Sequence, residues 1–212
     1  MTDTAHTESA VEWGFAARAL PGETVSGDRH LVQPCSSGFL VAVVDGLGHG
    51  LEATTAASTA VATLASHAGD PLPALVKRCH EALLKTRGVT MAVASIKIRN
   101  GTMSWLGIGT VEGCLVRADG TVARPREALL LRGGVVGYHL PALQASVVSL
   151  YPGDLLVLAS DGVRSGFERN IVTTDLPTLI ADRILAKHFK GTDDALVLVV
   201  RYLGMRHEAT VV

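Results

Sequence analysis

Three apolar runs in this chain carry a carboxylate just beyond one end. Asp45 follows Val41-Ala42-Val43-Val44, Asp161 follows the run 154–160, and Asp193-Asp194 precede the run 195–203. A fourth acid, Asp28 in Ser26-Gly27-Asp28, precedes another possible strand. If the three runs are antiparallel neighbours, the ends of two meet the beginning of the third, and the acids converge at one rim of a sheet. Converging carboxylates repel and raise one another's pKa unless cations neutralise them. Hard oxygen donors with no His or Cys pattern suit Mg²⁺ or Mn²⁺. Glycines beside the acids would let backbone carbonyls approach an ion closely. The plainer reading is that each Asp-Gly pair is a turn. Spacing alone leaves both open.

Other chemistries find less support. Gly46, Gly48 and Gly50 follow a strand and open a helix, as a phosphate loop does. Their spacing is G-x-G-x-G rather than G-x-G-x-x-G, and no G-K-[ST] follows. No G-x-S-x-G elbow occurs. Cys35, Cys79 and Cys114 form no C-x-x-C pair, so neither a zinc knuckle nor a disulfide framework is indicated, and they read as reduced, buried thiols.

The elements that must position the acids are legible as pattern. The run 38–44 is short, apolar and β-branched, a buried strand. Residues 51–67 form a helix with Ala53, Ala57, Ala60, Val61 and Leu64 on one face, small enough to pack close to a sheet. A second helix starts with Asp70 as N-cap and Pro71 at the first helical position. It carries the stripe Leu72, Leu75, Val76, Cys79, Leu83 and stops at Arg87-Gly88. Strands follow at 90–99, 102–108, 113–117, 127–132 and 144–150, with turns at Asn100-Gly101, Asp119-Gly120 and Gly133-Gly134. Asn-Gly between such runs is a hairpin signature, so this part is antiparallel. Asp175 caps a third helix with Leu176, Leu179, Ile180 and Ile184 on one face, between the strands 154–160 and 195–203.

The whole has 212 residues, 48% hydrophobic and 18% charged, with 22 glycines and a net charge of −1. That describes a glycine-punctuated globular chain with no global electrostatic drive toward nucleic acid or an anionic membrane. No apolar run is long enough for a transmembrane helix, and the N-terminus lacks the basic and apolar regions of a signal peptide. The expectation is a cytoplasmic protein: a frayed tail over 1–10, one domain over 11–204 and a C-terminal tail over 205–212.

The motifs SGD at 26–28, VAVVDGLGHG at 41–50, LASDG at 158–162 and TDDALVLVV at 192–200 resemble, in order and spacing, the PPM-type (type 2C-like) metal-dependent protein phosphatases. The similarity is strongest to the short bacterial SpoIIE/RsbX branch, through 87–91 (RGVTM) and 131–138 (LRGGVVGY), and spans about residues 12 to 203. The resemblance implies an α+β fold, a four-layer α-β-β-α sandwich of two antiparallel sheets flanked by helices. It implies a centre of two Mn²⁺ or Mg²⁺ ions, with Asp45 bridging both and the Gly46 carbonyl on one. Asp161 and Asp193 would complete the other shell, and Asp28 would hold a water; Asp194 and His49 are weaker candidates. Asp45 and Asp28 would thereby activate water for in-line attack on a phosphate ester.

This sequence departs from the pattern in places. Leu47 stands where many larger relatives have His, and Ala195-Leu196 replace the usual Thr after the acid pair. Arg18 and Arg29 are candidates for a phosphate-binding arginine near the N-terminus, while Arg87, Arg132 and Arg164 read as solvated. The implied activity is hydrolysis of phosphoserine or phosphothreonine on a signalling protein, such as a STAS-domain or stressosome component. A degenerate phosphatase fold acting as a binding module, and a phosphatase of a small metabolite, are the alternatives.

Overall fold

The computed structural model describes residues 10–205 and the backbone of 6–8. One sheet has the order β1 (His6–Glu8), β2 (Val11–Arg18), β12 (Ala195–Tyr202), β11 (Leu155–Ala159), β7 (Glu112–Val116), β8 (Arg126–Ala128). We call it the terminal sheet, since it holds the first and last strands of the described residues. The other, the central sheet, has the order β10 (Ser146–Ser149), β6 (Thr102–Ile108), β5 (Val89–Lys97), β4 (Gly38–Gly46), β3 (Asp28–Cys35). A short β9 (Leu131–Arg132) joins β6 in parallel, and the other pairings are antiparallel.

The apolar strands are continuous because both of their faces are covered. Along β4, Val41 and Val43 enter the core between the sheets, while Leu40, Ala42 and Val44 face α1 (Gly50–Ser66) and α2 (Leu72–Leu83). Along β12, Leu196, Leu198 and Val200 enter the same inter-sheet core, and Ala195, Val197 and Val199 pack toward α3 (Pro177–His188). The result is the expected four layers, α-β-β-α. Ala53, Ala56, Ala57 and Ala60 are all buried, so α1 approaches the central sheet closely. A Cβ added to Gly46 would lie 2.2 Å from the Ala53 carbonyl oxygen.

Several local expectations change. Leu72–Leu83 begins after Pro71, which occupies the N-cap, and the Asp70 carboxylate instead reaches Arg78 at 3.0 Å. Likewise α3 begins after Leu176, and Asp175 pairs with Arg183. Ile180 and Ile184 are buried as expected, but Leu176 and Leu179 are exposed, and Pro177, Ala181 and Leu185 complete the inner face. The run 127–132 divides between the sheets: β8 ends at Ala128, and the chain crosses through Leu129 to β9. The turn at Asn100-Gly101 is a four-residue connection, 98–101, in which only Gly101 has a positive φ, so it is not the two-residue type I′ turn. The strand β2 was not expected at all; it fills the place beside β12.

Of the tail expected over 1–10, residues 1–5 and 9 lie outside the described residues, and His6–Glu8 pairs with 11–13. Residues 206–212 also lie outside them. Among the described residues no helix is long and apolar enough to cross a membrane. Cys79 and Cys114 are buried, which pushes their thiols up to about 12 and about 11; Cys35 is half-buried.

Candidate metal centre

Asp28 and Asp45 stand directly opposite each other in the β3–β4 ladder of the central sheet. Asp161 follows β11 and Asp193 precedes β12, antiparallel neighbours in the terminal sheet. The acids thus meet, but from two sheets rather than along one rim. The strands β3 and β4 belong to the central sheet and β11 and β12 to the terminal sheet, and Asp45, Asp161 and Asp193 border one cleft.

Ser160 joins the two sheets here. Its Oγ donates to Asp28 Oδ2 at 2.7 Å and accepts the Leu196 N–H at 2.8 Å. Glycine is needed at two neighbouring points of close approach. A Cβ on Gly162 would lie 1.9 Å from the Asp194 carbonyl oxygen, and one on Gly27 would lie 2.8 Å from the Ala53 Cβ.

The electrostatics are those of acids crowded out of water. Burial pushes Asp45 up to about 9, helped by repulsion from Asp28, Asp161, Asp193 and Asp194. Burial likewise pushes Asp28 up to about 7, against the lowering effect of the Ser160 hydrogen bond. Asp193 is raised mainly by partial burial, which the Asp194 N–H and the nearby His49 oppose. No donor among the described residues is hydrogen-bonded to the Asp45 carboxylate. Asp45, Asp161 and Asp193 line a cleft of about 400 Å³, with Leu47, Gly48, Thr90, Gly109, Thr110, Gly134 and Val135.

Such a donor set fits divalent cations. A mostly buried carboxylate with no donor, ringed by other carboxylates, keeps its charge only beside cations and otherwise takes up a proton. Among the described residues no three His, Cys, Asp or Glu side chains close on a single point, and Mg²⁺ needs only one or two carboxylates beside other oxygen ligands. The acids border the cleft instead, leaving room for further oxygen ligands.

The two weaker candidates have separate duties. Both oxygens of Asp194 accept backbone N–H groups, from Leu20 at 2.8 Å and from Gly27 at 2.7 Å. It anchors the segment that leads into Asp28. His49 is exposed and hydrogen-bonded to Glu23 through Nδ1 at 2.7 Å. Four nearby residues do not stand out in the sequence. Ser160 lay unremarked inside LASDG. Thr90 and Thr110, hydroxyl to hydroxyl at 3.1 Å, line the cleft, and only the stretch 87–91 hinted at the first. Lys190, whose ammonium donates to the Asp161 carbonyl, gave no signal.

The two-sheet sandwich with acids at one end of both sheets defines a PPM-type phosphatase fold. A structure of RsbX in complex with magnesium has a TM-score of 0.82 at 16% identity, covering 94% of this chain and 98% of that one. A chain from work on the bacterial stressosome, a modular system adapted to control secondary messenger signalling, is 30% identical with a TM-score of 0.81. The alignment covers 90% of this chain and 99% of that one. In sequence, phosphoserine phosphatase RsbX of Bacillus subtilis (strain 168) is 23% identical over 99 residues, 47% of this chain. That match spans 50% of the relative's length. The family described as Stage II sporulation protein E (SpoIIE) matches residues 36–203, and the chain belongs to it.

Proposed function

We propose that this protein is a phosphatase that hydrolyses phosphoserine and phosphothreonine on a signalling protein, using two Mn²⁺ or Mg²⁺ ions. Asp45 with Asp28, Asp161, Asp193 and the Gly46 carbonyl would hold them. The observation that carries this reading is the Asp45 carboxylate, mostly buried, facing four other acids and hydrogen-bonded to no donor among the described residues. Divalent cations bound there would neutralise phosphate oxygens and make an attacking water more acidic.

The chain's own residues supply the rest. Ser160 keeps Asp28 oriented and favours its charged form. Leu47 and Val135 give the cleft apolar wall on either side, and Thr90 and Thr110 add hydroxyls. Leu47 brings no proton donor to the cleft, so the leaving group's proton must come from solvent or from another group.

A phosphorylated STAS-domain or stressosome component is the proposed substrate, supported by the 30% identity to the stressosome chain. Buried free thiols support a reducing, cytoplasmic setting. Leu47 in place of His favours one competing reading, a non-catalytic binding module. Phosphate release from a phosphoserine protein and from p-nitrophenyl phosphate, with Mn²⁺, Mg²⁺ or chelator, separates the readings. Metal-dependent turnover of the phosphoprotein supports the proposal. Turnover of the small ester alone points to a metabolite phosphatase, and no turnover with either to the binding module.

A further inference from the structure

A cleft lined by acids repels a phosphate dianion until cations fill it, and even then its mouth needs a positive group to receive the substrate. Three of the arginines considered from sequence are engaged elsewhere. Arg18 lies over the Phe189 ring at 5.0 Å, Arg29 donates to the Ser26 and Asp28 carbonyls at 2.9 and 2.7 Å, and Arg132 donates to Gln144 at 2.7 Å.

Arg87 is placed differently. Its segment runs beside Leu47 and Val135, two residues of the cleft lining. On one side the Leu47 N–H donates to the Gly88 carbonyl at 3.1 Å; on the other Val89 and Val136 exchange backbone hydrogen bonds at 2.9 Å. Gly88 has φ +80°, and a Cβ there would lie 2.7 Å from the Val136 carbonyl oxygen, so glycine is required for this close threading. The guanidinium then lies against Gly48, a residue of the cleft lining: a Cβ on Gly48 would be 2.6 Å from Arg87 Nη1. Glu52 Oε2 forms an ion pair with the guanidinium, 2.5 Å from Nε. No acceptor among the described residues is hydrogen-bonded to either Nη, and the side chain is 53% exposed.

We propose that Arg87 is a substrate-binding residue that receives the phosphate monoester at the mouth of the cleft through its Nη groups. Planar guanidinium donors match the oxygens of a phosphate, and a lysine at the same place would offer only a point charge. This inference rests on the phosphatase reading.

The test is binding of inorganic phosphate to the Mn²⁺-loaded protein by calorimetry, with kcat and KM for p-nitrophenyl phosphate. Arg87→Ala should weaken phosphate binding and raise KM by about tenfold or more, with kcat changed by less than about threefold. Arg87→Lys should recover part of the loss. Glu52→Gln, which removes a charge that competes with phosphate for the guanidinium, should bind phosphate at least as tightly as the wild type. If Arg87 merely supports the loop through its ion pair, Glu52→Gln will lose as much as Arg87→Ala, and the proposal fails. It fails also if Arg87→Ala matches the wild type in an active protein. A wild type that neither binds Mn²⁺ nor releases phosphate overturns the phosphatase reading and this inference together.

Discussion

Ser160 and Asp28 are joined by a 2.7 Å hydrogen bond that crosses from the terminal sheet to the central sheet beside the acids. The hydroxyl also accepts the buried Leu196 N–H. Ser160→Ala should therefore have two effects. Leaving that N–H unpaired costs about 1–3 kcal/mol in chemical denaturation. Losing a donor that favours the charged form moves Asp28 further above about 7. Mn²⁺ binding at pH 7 then weakens by about tenfold for each unit of that movement, a loss that shrinks at higher pH. Unchanged metal affinity at pH 7 would count against a role for Asp28 in holding the ion.

The raised acids make a prediction for the metal-free protein. Asp28 and Asp45 bind protons more tightly folded than unfolded, from an ordinary value of 3.8 to about 7 and about 9. Their stabilising contribution is fully present below 3.8 and is lost as pH rises through those values. Thermal unfolding in chelator should show Asp45→Asn melting above the wild type, with the gap widening from pH 5 to pH 8.5. Each kcal/mol relieved is worth about 2–4 °C at this size. Added Mn²⁺ should reverse the order by stabilising only the wild type. A gap that narrows with pH contradicts the repulsion described.

Neighbouring acids should separate in their effects. Asp194 holds the Leu20 and Gly27 N–H groups, whereas Asp193 lines the cleft. Asp194→Asn should destabilise the fold by about 1–3 kcal/mol, because an amide nitrogen then faces a backbone donor. Asp193→Asn should leave stability nearly unchanged and weaken Mn²⁺ binding. Denaturation and calorimetry on the two variants check this, and the reverse pattern would exchange their roles.

How far the sequence foretold this depends on the residue. Asp45, Asp161 and Asp193 were legible because an acid at the end of a doubly buried strand interrupts an otherwise apolar run. The stripe on α2 was equally plain, since a helix over one sheet buries one face. Which strands are neighbours was not legible. Val41 and Leu158 enter one inter-sheet core from opposite sheets, and nothing in their apolar character says from which. The same ambiguity joined 127–132 into one strand, because Leu129 is buried while the chain crosses between sheets. The strand β2 escaped notice because its burial is interrupted, with Val11, Gly14 and Ala16 inward and half-buried residues between. Asp193 and Asp194 are the same residue type, so only the position of the Leu20 and Gly27 N–H groups tells anchor from cleft wall.

The account turns on whether the cleft acids hold ions that drive ester hydrolysis. The most direct measurement is phosphate release from a phosphoserine protein as Mn²⁺ is titrated into chelator-treated wild type and Asp45→Asn. No release is expected without metal, with saturable activation of the wild type and at least about a 100-fold lower rate in the folded variant. Release that persists in chelator, or full activity in Asp45→Asn, would contradict it.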